Sequence, residues 1–250
     1  LWVLDTIAPL RHLADMQAGT EPQLVQPETA HRLRFNQNKD TPLPPEEPTG
    51  ENPPAGAVLD YILPAGFEGP VSLELVAHDG RVIQRFDSEV IPQQAKARIY
   101  FADTWLGEPQ RLQNDAGHHR FVWNLRYPPP PTLRSRYSIA ATPGKPTPIL
   151  PEGAFVLPGA YTVKLTAGDT TITRELRVEL DPRVDVSQED LQSLLDFQGE
   201  VTGVLARAVS LQQEIDAGNE EARAASMAKI PAMVANALTS LAIDLEHSDS

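Results

Sequence analysis

At Ser187 the apolar residues of this chain change their spacing. Upstream, Tyr161, Val163 and Leu165 alternate with Thr162, Lys164 and Thr166. Downstream, Leu191, Leu194, Leu195, Val201, Leu205, Ala208, Leu211 and Ile215 recur every third or fourth position. Side chains alternate across a strand and return every 3.6 residues around a helix. The chain therefore reads as strands first and helices after, which predicts a mainly β protein with α-helices at its C-terminal end.

The strand-forming part has several sharp signals. Leu157–Leu180 reads as a hairpin turning at Gly168-Asp169, a dipeptide suited to a two-residue loop. Asp181-Pro182 ends it. In Val71–Ala77, Val71, Leu73, Leu75 and Ala77 share one face, with Ser72 and Glu74 on the other. Arg81–Phe86 follows across Asp79-Gly80, a second hairpin signal. Ala57–Leu63 places Leu59, Tyr61 and Leu63 opposite Val58, Asp60 and Ile62. His119–Tyr127 places Phe121, Trp123 and Leu125 on one face, and the four prolines from Pro128 to Pro131 end its pairing, because proline has no N–H to donate. Leu1–Leu4 is a further apolar, strand-like run. Ala97–Leu106 and Arg136–Ala140 can each hold a short strand, and the rest of the stretch to Pro158 reads as loop. About six or seven strands result, the size of an immunoglobulin-like β-sandwich.

In the helical part, Ser187 with Asp190 three residues on fits an N-terminal capping box. Gly218 is placed to end the helix. Pro231 suits the first turn of another, with Val234, Ala237, Leu238, Leu241 and Leu245 on one face. An α-helical hairpin is expected. The organisation is then 1–55 as an entering strand and Pro-rich linker, 56–182 as the sandwich and 183–250 as the helical hairpin.

Composition narrows the function. The 250 residues are 41% hydrophobic, enough for a core, and the 24 prolines fall in clusters such as Asn36–Ala55. A net charge of −13 disfavours nucleic acid and anionic membranes as partners. The absence of cysteine removes thiol catalysis, zinc–thiolate sites and disulfides. No apolar run has membrane-spanning length.

The residue patterns offer no reaction. His118 and His119 are adjacent, so on a strand they point to opposite faces and cannot easily share a metal ion with Asp115. No Gly-x-Ser-x-Gly elbow and no Gly-rich phosphate loop is present. Asp60, Glu74 and Asp103 have no spacing that pairs them for glycoside cleavage. No catalytic residue, metal site or cofactor is expected. The aromatic residues Trp2, Trp105, Trp123 and Tyr137 are the candidates for a ligand or interface role, since exposed aromatics stack on sugars and anchor protein contacts.

Taken in order, four motifs resemble one known arrangement: "LWVLDTIAPLR", "GENPPAGAVLDYILP", "HRFVWNLRYP" and "LPGAYTVKLTAGDTTITRELRVELDPR", followed by helices. The order is similar to the C-terminal region of large bacterial proteins with sortilin-like or sialidase-type BNR repeats, often labelled glycosyl hydrolase-like. The resemblance implies that Leu1–Asp5 closes a β-propeller, with this chain cut from a longer protein. It implies a sandwich like the immunoglobulin-like domain of the flagellar hook-capping protein. It implies a periplasmic or extracellular location, with any catalytic residues in the upstream propeller. The expected function is a non-catalytic accessory region that contacts its own propeller or another protein. The alternative is a carbohydrate-binding module whose partner is a glycan.

Overall fold

The computed structural model describes residues 7, 10, 19–33, 53–90, 97–98, 101–102, 106, 109–132, 135–137 and 149–216. These hold eleven strands and one helix. The strands are β1 (Gln23–Leu24), β2 (Ala30–Arg32), β3 (Ala57–Leu63), β4 (Val71–Ala77), β5 (Val82–Asp87) and β6 (Ala97–Arg98). They continue with β7 (Gly117–Trp123), β8 (Ser135–Tyr137), β9 (Ile149–Leu150), β10 (Gly159–Ala167) and β11 (Thr170–Leu180), followed by helix α1 (Gln188–Asp216). One sheet has the order β2-β11-β10-β4-β5, a second β1-β3-β7, and a small third β6-β8-β9. The protein is thus mainly β with a C-terminal helix.

The longest pairing is the β10–β11 hairpin, in register from Gly159↔Val178 to Ala167↔Thr170. Its two-residue loop starts with Gly168 at φ 56°, a conformation that a Cβ disfavours and glycine adopts freely. Strand β4 pairs antiparallel on the other side of β10. The β4–β5 turn is longer than the Asp79-Gly80 pair suggests. Gly80 N–H donates to Ala77 O and Ala77 N–H to Arg81 O, each at 2.9 Å, so three residues make the loop. The Asp79 carboxylate accepts from Arg81 N–H at 3.0 Å and fixes the exit.

Alternation gives both sheets one apolar face, and both faces contribute to one core. Leu73, Leu75, Val163, Leu165 and Leu176 come from the larger sheet, and Leu59, Tyr61, Leu63, Phe121 and Trp123 from the smaller. Phe86 meets Phe121 at 4.5 Å between ring centroids, and Trp123 meets Tyr161 edge-on at 6.0 Å. Fully burying each such side chain contributes about 1.5–3 kcal/mol, so these residues dominate the stability of the β part. Phe121, Trp123 and Leu125 are all buried, as the alternation predicts.

The strand inventory differs from the sequence expectation of six or seven. Strands β1, β2 and β9 lie in stretches that read as loop, and two or three residues are too few to show a period. Between β1 and β2 the chain changes sheets: β1 pairs antiparallel with β3, and β2 pairs parallel with β11. Pro27, unable to donate to a ladder, sits at the crossover. Regular pairing of β7 ends at Trp123, short of the expected Tyr127, and resumes only as a bridge from Arg126 to Phe155. There Leu125 takes φ 59°, rare for a residue with a branched side chain. Asn124 Oδ1 accepts from Arg126 N–H at 3.2 Å, and Trp123 Nε1 donates to Arg126 O at 3.2 Å.

Helix α1 begins as its cap dictates. Ser187 Oγ accepts from Asp190 N–H at 3.0 Å, and Leu191 N–H donates to Ser187 O at 3.2 Å. Such a cap contributes about 1 kcal/mol. Leu1–Leu4, Gly218 and the second expected helix lie outside the described residues.

Candidate functional site

Histidines 118 and 119 are pointed apart by β7. Their partners across the ladder are Ile62 and Tyr61. His119 turns toward the core face, its ring 5.2 Å from that of Tyr61, and its Nε2 donates to Asp115 O at 2.6 Å. Tyr61 OH donates to Gln113 O at 2.6 Å, and burial pushes the phenol far above its ordinary pKa. His118 lies on the opposite face, where its Nε2 donates to Asp60 Oδ1 at 2.9 Å. Arg120 adds Nε to Oδ1 at 2.9 Å and Nη2 to Oδ2 at 3.2 Å. Asp60 is buried because these two neighbours cover it. Its oxygens are committed to a clasp across β3 and β7. Among the described residues, no three His, Asp or Glu side chains come together as a metal site needs.

Glu74 sits on the outer face of the other sheet. It pairs with Lys164 Nζ at 2.9 Å and Arg85 Nη1 at 3.1 Å. The Lys164 hydrogen bond is the main cause of a carboxyl held below its usual range. Glu74 and Asp60 belong to different sheets, so these carboxylates do not share a cleft. Asp103 lies outside the described residues.

A second cluster forms where β2, the exit of β7 and the segment before β10 meet. Ala30 and Arg32 alternate with the exposed His31, which directs Arg32 toward the core side. The kink at Leu125 sets Arg126 beside Phe155. The Arg126 guanidinium carbon lies 3.6 Å from the centroid of the Phe155 ring, and that of Arg32 lies 5.1 Å from it. Arg126 donates through Nη1 to Gly153 O at 2.8 Å and approaches Glu152 at 3.4 Å. Arg32 Nε is shut away from solvent without a hydrogen-bond partner. Burial, then the nearby Arg126 charge, lowers the Arg32 pKa, while Tyr161 opposes the shift. Tyr161 itself, pushed up to about 12 mainly by burial, donates its hydroxyl to Leu157 O at 2.5 Å.

A third surface belongs to α1. Leu194, Phe197 and Val201 are 50%, 44% and 44% exposed. Their spacing of three and four puts them on one stripe. The C-terminal half of the helix differs: Val209 is buried, and Val204, Leu205, Ala208, Leu211 and Ile215 are half-buried. A shallow depression of about 310 Å³ on the larger sheet, lined by His78, Thr162, Thr173 and Glu175, is open and polar.

Of the four aromatic candidates, Trp123 is in the core and Tyr137 is buried in the small sheet. Neither offers a ring face to a ligand. Trp2 and Trp105 lie outside the described residues. Sequence reasoning missed Arg32, Arg126 and Phe155. The available signal was an arginine in step with the apolar Ala30, an inward position for a charge.

Comparison of the chain with protein-family models, with curated proteins and with solved structures finds no match in any of the three.

Proposed function

We propose that this chain is a non-catalytic accessory region that follows a BNR-type β-propeller in an exported bacterial protein, and that it acts by docking. The observation that carries the reading is the exposed stripe Leu194, Phe197 and Val201 on α1. Contiguous exposed apolar side chains mark surfaces that other protein covers.

The β part supports an immunoglobulin-like sandwich. Two sheets share a core, the first strand changes sheets, and β2 runs parallel to the last strand, β11. A tyrosine near the start of β10 returns its hydroxyl to the backbone four residues upstream, as in the tyrosine corner of such sandwiches.

The helical part is read as a hairpin. A helix over residues 231–245 would be about 22 Å long, against about 43 Å for the 29 residues of α1 at 1.5 Å per residue. A helix of that length would cover only the half-buried C-terminal half of α1, which would leave Leu194, Phe197 and Val201 for the upstream propeller.

The test is binding in trans. The upstream portion of the parent protein is produced separately and titrated with this chain by calorimetry. A variant with Leu194, Phe197 and Val201 all changed to Asp should bind at least about tenfold more weakly, a loss of about 1.4 kcal/mol. Equal binding by both would remove the stripe from the interface. A parent sequence without propeller-length repeats upstream of Leu1 would overturn the reading.

A further inference from the structure

We propose that Arg32 and Arg126, gathered over the ring of Phe155, form a binding site for a carboxylate, with Arg32 supplying the receiving fork. The site is separate from the helical stripe and does not depend on it.

The arginines of the protein are unevenly partnered. Among the described residues, Arg81, Arg85, Arg120, Arg126, Arg177 and Arg183 each lie within ion-pair distance of a carboxylate. Arg81 does so although it is largely exposed. Arg111, Arg136, Arg174 and Arg207, which do not, are exposed to water. Arg32 is half-buried, and no carboxylate among the described residues reaches it. A second guanidinium lies over the same ring. Two like charges beside one another, one with its Nε cut off from water, make an unfavourable arrangement when empty. The aromatic ring attracts both cations and holds them in place, but it does not neutralise them. An oxyanion across the Arg32 fork would do so.

The same geometry selects the ligand. Arg126 is already engaged by Gly153 O, Glu152 and the Phe155 face. Arg32 has no hydrogen-bond acceptor among the described residues, and with Nε shut away from solvent its Nη1–Nη2 edge is the one left to meet a carboxylate through two parallel bonds. Glu152 stands close by and opposes a dianion more than a monoanion, so phosphate is the poorer fit. Two sources can supply a carboxylate. One is a separate molecule. The other is the chain itself, because the segment that follows β2 carries Glu46, Glu47 and Glu51.

The test follows the arginine Nε–Hε signals of the full chain by NMR during titration with acetate, with sodium chloride at matched ionic strength as the control. If the carboxylate comes from outside, the Arg32 signal shifts saturably with acetate and not with chloride, and phosphate gives a weaker response. If the chain fills its own site, wild type does not respond. The variant Glu46→Gln/Glu47→Gln/Glu51→Gln then responds to acetate. In either case the Arg126 signal on the same ring shifts along with that of Arg32, and Arg32→Gln abolishes that Arg126 response. Mass spectrometry of phenylglyoxal modification gives a measurement on unmutated side chains: acetate, or the intact glutamates, should slow modification of Arg32 severalfold. No acetate response in wild type or in the triple variant overturns the proposal, as does a response that survives Arg32→Gln.

Discussion

Single atoms decide the joint between β3 and β7. Gly56 sits one residue before β3 at φ 146°, and a Cβ there would lie 2.0 Å from the carbonyl oxygen of Trp123. That oxygen belongs to backbone at the end of β7 and cannot swing aside. Gly56→Ala should therefore lower stability by about 2–4 kcal/mol, combining a disallowed backbone with overpacking. Urea unfolding followed by near-UV circular dichroism measures it, and a midpoint unchanged from wild type would contradict the close approach. The sequence gives no sign of the atom that Gly56 faces. Asp60 shows the same limit. Alternation put it on the outer face, and it is there, yet it is buried because Arg120 and His118 lie across the ladder from residues of β3. Pairing between residues about sixty positions apart leaves no trace in a local period.

Elements of five or more residues were readable; of the shorter ones, β6 and β8 fall in stretches that could hold a strand, and β1, β2 and β9 do not. Strands β3 and β4 run over the residues whose alternation announces them, and Ser187 caps α1 through its own side chain. Strands β1 and β2 are set by the sheets they join. The carboxylate-binding cluster is beyond sequence reading for that reason, since β2 meets β11 only through tertiary pairing. Between β11 and α1 the chain turns at Asp181. Its carboxylate accepts from the Arg183 side chain and, at 3.0 Å, from Arg183 N–H, and these bonds hold its pKa at about 2. The folded value lies below the unfolded one, near 4. The turn is therefore reinforced above pH 4, and the reinforcement is lost as pH falls from about 4 to 2. The Arg183 amide resonance should move with a midpoint near pH 2 and stay flat in Asp181→Asn. A midpoint at the ordinary aspartate value would mean that the bonds do not persist in solution.

At the scale of the whole molecule, the β part and the helix are held by different contacts. Every extensive packing contact among the described residues joins strand to strand. Helix α1 begins after the turn at Asp181 and is not built into either large sheet. The sheets share one dry core, while the N-terminal half of α1, where Leu191 alone is buried, relies largely on its cap and its own hydrogen bonds. Two-state melting is not expected. Ellipticity at 222 nm should show a transition at lower temperature than the near-UV signal, and coincident transitions would show the helix and sheets to be one cooperative unit.

Among the described residues, strand β7 forms the border of its sheet. The side-chain amide of Gln110 lies against Val122, its Oε1 accepting from Val122 N–H and its Nε2 donating to Val122 O, both at 3.2 Å. One glutamine thereby counterfeits a peptide unit. A stranger's backbone arriving at Val122 finds both of that residue's hydrogen-bonding groups already occupied, which keeps copies of the chain from zipping together along this margin. Glutamine serves here because its head has the same donor and acceptor as the main chain, whereas leucine or lysine would leave the seam open to fibril growth.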